Sequence, residues 1–177
     1  QLQYAYVYDR AFDRDNSINW QLTVQEAGNF FWCVYQLAGK HHNKELFGTP
    51  FSQFVKGSTQ LVYNRRLWGE NWLVSRVAVG AAHAYGNSTE VPYAEQFYVG
   101  GANSVRAFTV RSLGPGSYRP PQDVRDSYFD QTGTFKFEAN VEYRFPIIGP
   151  VHGAVFLDAG NVWLLKKDEL RPDGELR

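Results

Sequence analysis

Phe135-Lys136-Phe137-Glu138-Ala139-Asn140-Val141-Glu142-Tyr143-Arg144-Phe145 alternates without a fault, with rings and aliphatic groups at odd positions and charged or amide groups at even ones. Successive side chains of a strand point to opposite faces, so this stretch reads as a strand with one apolar and one polar face. Two settings produce that pattern: a sandwich strand with a wet outer face, or a membrane-spanning barrel strand. The length, with aromatic residues at both ends, favours the barrel, where rings mark the two membrane interfaces.

The same period extends outward from this strand. Downstream, Pro146 to Pro150 reads as a turn, and Val151 to Trp163 as a strand with Val151, Val155, Leu157 and Ala159 on one face and His152, Phe156, Asp158 and Gly160 on the other. Lys166 to Arg177 reads as polar loop. Upstream, Asn71 to about Tyr85 sets Leu73, Val77, Val79 and Ala81 against Arg76, Gly80 and Ala82. Phe54 to Trp68 sets Leu61, Tyr63 and Leu67 against Lys56, Ser58, Gln60, Asn64 and Arg66, and the Gly69-Glu70 connection has the length of a tight hairpin. Gln1 to Tyr8 is a strand ended by a charged turn, and Ile18, Trp20, Leu22 and Val24 share the face of another. After Gly28 an apolar run reaches Leu37; it reads as one long strand kinked at Gly28 or as a second short strand. No segment reads as a helix.

Between Gly86 and about Gly133 lies a connection too long for an ordinary turn. Its part from Gln96 to Tyr118 holds Phe97, Tyr98, Val99, Val105, Phe108, Val110 and Leu113, too apolar a set for a free linker, with glycines and a Pro-Gly pair at its bends. It reads as a folded loop with Arg106 at its tip.

Composition narrows the function classes. Eighteen basic and eighteen acidic residues leave the 177-residue chain neutral, with no basic stripe for nucleic acid. Eleven Tyr, thirteen Phe and five Trp suit strands and interfaces where a ring has one dry and one wet end. The single cysteine, Cys33, rules out an internal disulfide and reads as a buried or lipid-facing small hydrophobe. His41 and His42, adjacent on a polar loop, read as solvated rather than as metal ligands. No cofactor is expected. The Asn87-Ser88-Thr89 sequon matters only in a eukaryotic secretory pathway, which nothing else in the sequence suggests.

About six strands cannot close a barrel around a loop of some forty residues, because barrels of eight strands are already filled by side chains. An open sheet in a membrane leaves unpaired backbone groups on both edges. The expectation is therefore an all-β segment of a larger antiparallel transmembrane barrel, with the whole of 1–177 in that one domain.

Gly100-Gly101, Ser104-Val105-Arg106-Ala107-Phe108 and Ser112-Leu113-Gly114-Pro115 resemble the Val-Arg-Gly-Phe/Tyr loop of the BamA/TamA superfamily of outer-membrane assembly barrels. The likeness continues through Phe137 to Pro146 and through Val155-Phe156-Leu157-Asp158-Ala159-Gly160-Asn161-Val162-Trp163; the continuation Gly116 to Pro121 is most similar to the TamA-like proteins of the Bacteroidetes. The resemblance implies a barrel of about sixteen strands behind periplasmic POTRA domains. This chain would supply strands eight to thirteen, with 86–133 as the lumen loop, and the POTRA domains and both barrel ends outside it. The implied function is insertion of other barrel proteins into the bacterial outer membrane, or polypeptide translocation across it. The implied partners are membrane lipid, client outer-membrane proteins, and periplasmic or inner-membrane proteins reached through the domains outside this chain.

In that family the loop arginine pairs with acids on the inner wall. Arg106 takes its place here, Glu142 and Asp158 take the acidic places, and Gly100, Gly101, Val105, Ala107, Phe108, Gly114 and Pro115 form the surrounding motif. The alternation alone puts Glu142 on its strand's polar face and Asp158 on the more polar face of the next. Where the family has glycine after the arginine, this chain has Ala107, so the backbone there is either ordinary or strained.

Other function classes find less support. There is no Gly-x-Ser-x-Gly elbow, no His-Glu-x-x-His helix and no phosphate loop with its lysine, so the chain reads as non-enzymatic. A patatin-like lipase ahead of the barrel, known in the superfamily, and a passive porin or transporter barrel stand as the alternatives.

Overall fold

The structure, a computed structural model, describes residues 1–37, 45–46, 49–119 and 131–176. Six long strands form one antiparallel sheet: β1 (Leu2–Ala11) and β2 (Asn16–Ala27), then, after a helix and two minimal strands, β5 (Phe54–Trp68), β6 (Asn71–Ala84), β7 (Phe135–Ile148) and β8 (Val151–Trp163). The minimal strands β3 (Glu45–Leu46) and β4 (Thr49–Pro50) pair with each other. Strand order in the large sheet follows the chain, each strand bonded to the next.

Short turns at 12–15, 69–70 and 149–150 join the strands at one end of the sheet, and the long connections gather at the other. At the first turn the Asp13 carboxylate accepts the Asp15 N–H at 2.7 Å and the Asn16 side-chain amide at 2.9 Å, fixing the reversal without a regular hairpin loop. Pro146, which can donate nothing to a ladder, sits where the β7–β8 register shifts, between Pro146 and Ile148.

Burial is inverted relative to a sandwich in water. Leu157, Val155 and Leu2 are 73%, 64% and 66% exposed, whereas Glu138 on the opposite face of the sheet is 1% exposed. Register places Leu22, Thr59, Val79, Phe137 and Asn161 in one outward row, and Trp20, Leu61, Val77, Ala139 and Ala159 in the next. So extensive an apolar face needs an apolar medium, which is the arrangement of a membrane barrel wall.

The other face is covered at its long-connection end by the loop. Val91, Phe97, Val99 and Val105 from the loop pack on Phe54, Ala82, Ala84 and Val162 of the sheet, forming the core. Inward positions of β6 are small here because the loop lies so close. A Cβ on Gly80 would stand 2.6 Å from the Phe97 ring, so only glycine accommodates that ring.

One sequence expectation changes and another is extended. The run after Gly28 is a helix, α1 (Asn29–Leu37), and not a strand. Gly28, at φ +85°, ends the extended backbone, and its carbonyl accepts the Trp32 N–H at 2.9 Å to close the first helical turn. The segment read as polar loop, Lys166 to Arg177, is irregular as expected over its described part, but that part returns to the protein. Leu164 is 5% exposed, its N–H donates to the Gly174 carbonyl at 2.8 Å, and the Ser117 N–H donates to the Asp173 carbonyl at 2.9 Å. One leucine and a left-handed turn at Asp173, φ +61°, suffice to fold it back, a signal too sparse for periodicity to detect. Cys33 is exposed. His41 and His42 lie outside the described residues.

Candidate functional site: the loop latch on the inner wall

Register sets the ground on which the loop lands. Arg76, Asn140 and Asp158 stand opposite one another on β6, β7 and β8; Val74, Glu142 and Phe156 form the row towards the short turns, and Ala78, Glu138 and Gly160 the row towards the loop core. All nine share the inward face, because each is an even number of residues from the next along its strand.

The loop shapes itself with its own backbone. The Gly101 N–H donates to the Phe108 carbonyl at 2.8 Å and the Arg111 N–H to the Val99 carbonyl at 3.0 Å, closing a compact excursion whose tip is Arg106. Gly100 has φ +109°, and a Cβ there would lie 2.1 Å from the Thr109 carbonyl oxygen, so no other residue fits. Val105, 4% exposed, rests over Gly160; Phe108 is 46% exposed. Ala107 has no positive φ, so the glycine of the family pattern is not required by backbone conformation here. Further on, Gly114 and the buried Pro115 wedge between Val162 and Gly174.

Arg106, Glu142 and Asp158 come together at the tip. The Arg106 Nε donates to Asp158 Oδ2 at 2.9 Å and Nη2 to Oδ1 at 3.0 Å, a two-pronged contact, while Nη1 donates to Glu142. The Arg106 backbone N–H also donates to Asp158 Oδ2, at 3.1 Å. The guanidinium lies 3.6 Å above the centre of the Phe156 ring. Asp158 is 5% exposed and Glu142 16%, so water competes little for the first and modestly for the second. These hydrogen bonds, that to Asp158 before that to Glu142, raise the Arg106 pKa above its ordinary value.

Several contributors carried no signal in the sequence reading. Phe156 supplies a face for the guanidinium to stack on, and Asn140 donates to Asp158 Oδ1 and to the Ser104 carbonyl, both at 2.8 Å. Arg144 Nε donates to Glu142 Oε1 at 2.6 Å from the solvent side. A second node lies one row away. Glu138 receives Arg76 and the Ser104 hydroxyl, and Arg76 Nη1 also donates to the Asn103 carbonyl at 2.6 Å.

A third node holds the loop's beginning. Glu95, in the 3-10 turn Tyr93–Glu95, accepts Gln1 at 3.1 Å, Gln25 at 3.1 Å and Lys56 at 3.2 Å. Their even–odd parity already put Lys56 and Gln25 on the polar face; what parity could not give was the loop residue that meets them. Two further loop cations, Arg111 and Arg119, read from the sequence as general polar lining; Arg111 donates to the Tyr93 hydroxyl at 3.1 Å and lies 4.7 Å from the centre of the Tyr98 ring, and Arg119 is exposed. Among the described residues no group of acidic, histidine or cysteine side chains has the arrangement of a metal site.

A model of the Omp85 superfamily domain matches residues 4–175. Over 90 residues the chain is 37% identical to the outer membrane protein assembly factor BamA of Neisseria meningitidis serogroup B, an alignment that covers 48% of this chain and 11% of that protein. The family match runs through all six long strands and the loop, the same elements that show an apolar outer face and a polar inner one. The chain therefore belongs to the Omp85 superfamily, and its sheet is part of a β-barrel wall of the bacterial outer membrane.

Proposed function

We propose that this chain is the barrel portion of a non-catalytic factor that inserts other barrel proteins into the outer membrane or moves polypeptides across it. Its loop 86–133 folds into the lumen and is latched there by Arg106 on Glu142 and Asp158. The observation that carries this reading is the docking of Arg106 on two inner-wall carboxylates of adjacent strands, within a chain of the Omp85 superfamily. An inward loop alone would also suit a constricted pore; its setting in an Omp85 chain that resembles an assembly factor favours the assembly or translocation barrel.

In the whole protein the six strands are the eighth to thirteenth of a barrel of about sixteen, preceded by POTRA domains. Its clients are other outer-membrane proteins, and its further partners are reached through the periplasmic domains. The finer TamA-like, Bacteroidetes-type assignment rests on Gly116 to Pro121 alone.

Replacing the native gene with one encoding Arg106→Ala tests the reading. At matched levels of the protein itself, the expected result is a fall in other outer-membrane barrel proteins. Unchanged levels of those proteins, with an altered uptake of small solutes, would point to a pore instead.

A further inference from the structure

Helix α1 presents an apolar stripe to the outside. Phe30, Cys33, Val34 and Leu37 recur at i, i+3, i+4 and i+7 and so share one helical face. Phe30 is 70% exposed, Val34 47%, Leu37 90%, and Cys33 is exposed with them. No residue of α1 carries a charge.

The tethers of α1 show on which side of the wall it hangs. The Asn29 side-chain amide donates to Glu26, and the Tyr85 hydroxyl donates to Asn29 Oδ1 at 2.6 Å. Glu26 stands in the outward row with Val55 and His83, and Tyr85, two residues beyond His83, continues that parity. The next outward row towards the membrane is Val24, Gly57, Ala81, Phe135 and Trp163, and in it the Phe135 and Trp163 rings pair at 5.8 Å. Paired rings at a strand end mark the level where hydrocarbon gives way to headgroups. The stripe is thus continuous with the lipid-facing surface and lies at its border on the long-connection side, which in outer-membrane barrels is the extracellular one.

We propose that α1 is an interfacial helix whose Phe30, Cys33, Val34 and Leu37 face inserts into the outer leaflet beside the barrel. The occupant is lipid: an apolar stripe this exposed would be an aggregation site in water, and at this height lipid is the medium already in contact with the adjoining rows. Asn29, Tyr35 and Gln36 turn the less exposed side back to the protein, and the Tyr35 ring meets the Phe51 ring in a tilted contact, 6.1 Å between centres. The inference rests on the outer-membrane placement of the wall and is independent of the assembly function.

Cys33 is itself the reporter. The full-length protein, with any cysteine outside these 177 residues replaced by serine so that Cys33 is the sole thiol, is spin-labelled there and reconstituted in phosphatidylcholine vesicles, and collision rates with oxygen and with a water-soluble nickel chelate are compared. Reference labels replace Leu157, on the lipid face, and Glu70, in a short turn, each in a Cys33→Ser background. The expected oxygen-to-nickel ratio at Cys33 is several-fold above that at position 70 and approaches that at position 157. Val34→Asp with Leu37→Asp should lower the ratio while leaving the position 157 label unchanged. A Cys33 label reached by nickel as readily as the turn overturns the proposal in favour of water. Protection from both reagents overturns it in favour of a covering protein segment, a second copy or another partner.

Discussion

Removing Arg106 should release the loop tip, and the geometry sets the size of the effect. Exposed ion pairs are worth about 0–1 kcal/mol, whereas breaking a buried one costs about 3–5 kcal/mol because the abandoned charge stays desolvated. Asp158, at 5% exposure, lies near the buried limit, and Asn140 is the one donor left to its carboxylate side chain among the contacts described once the Arg106 side chain is gone and the tip has lifted away. Glu142 is less demanding, since Arg144 still neutralises it. Arg106→Ala should therefore cost about 3 kcal/mol of loop docking, Asp158→Asn about 2 kcal/mol and Glu142→Gln about 1 kcal/mol.

The combination is more diagnostic than any single change. Arg106→Ala with Asp158→Asn should cost about 3 kcal/mol and not the sum of about 5, because both substitutions remove the same contacts. The assay is amide hydrogen exchange across residues 99–111 of the full-length protein in lipid. There, 3 kcal/mol of local opening appears as roughly a hundredfold faster exchange. The Arg106 amide, which donates to Asp158 Oδ2, should respond first. Arg106→Lys should recover part of the protection only, since an ammonium cannot copy the two-pronged contact or the stacking on Phe156. Additivity of the single changes within about 0.5 kcal/mol would refute a shared site.

Amide exchange, followed at the residues around each site, also reads five further substitutions. Ala107→Gly should loosen the tip by about 0.5–1 kcal/mol, since the backbone there has no positive φ for glycine to relieve; a gain in protection would show hidden strain. Gly80→Ala should cost about 1–3 kcal/mol by overpacking against the Phe97 ring, and adding Phe97→Leu should return part of it. Glu95→Gln should cost about 1 kcal/mol at the loop's beginning, from its partners Gln1, Gln25 and Lys56, and should add to Arg106→Ala because the two sites share no residue. Asp168 is held below the usual carboxylate range by Arg171 and then by the Leu170 N–H, so its contribution is present above about pH 4 and is lost as the pH falls through the lower native value. Once rates are divided by the intrinsic exchange rate at each pH, acidification should therefore lower the protection of the Leu170 amide, and Asp168→Asn should abolish that change in protection.

The strands were legible because a membrane wall enforces the two-residue period on every one of them: one face meets lipid, the other the interior. That constraint made Phe135 to Phe145 readable residue by residue, and it placed Glu142 and Asp158 on the inner side before any coordinates. It failed at Asn29 to Leu37 for a physical reason. A nine-residue run has room for only about two and a half helical turns, and there the stripe Phe30, Cys33, Val34, Leu37 competes with a reading as buried strand. The nodes at Glu138 and Glu95 stayed hidden for another reason. Each joins residues far apart in sequence, Arg76 to Glu138 and Lys56 to Glu95, and parity says which face a side chain takes but not what arrives to meet it.

What arrives is a loop built in two chemistries, and their order along the sheet explains how it can be both packed and selective. Near the long connections it buries Phe97, Val99 and Val105 against small residues and Val162, a contact that any apolar segment of similar volume could make. Farther down, Arg106 must find Asp158 and Glu142 on two neighbouring strands at once, above the Phe156 ring, which a slip of one residue in the β7–β8 register would move to opposite faces. Apolar packing thus supplies most of the adhesion, and the ion cluster supplies the register. Glu95 extends the same logic to Gln1 ahead of β1, to β2 and to β5, so the loop touches polar groups at both sides of the sheet. Most groups that fix the loop's place on the wall are side chains, so the strand-to-strand ladders stay intact beneath it.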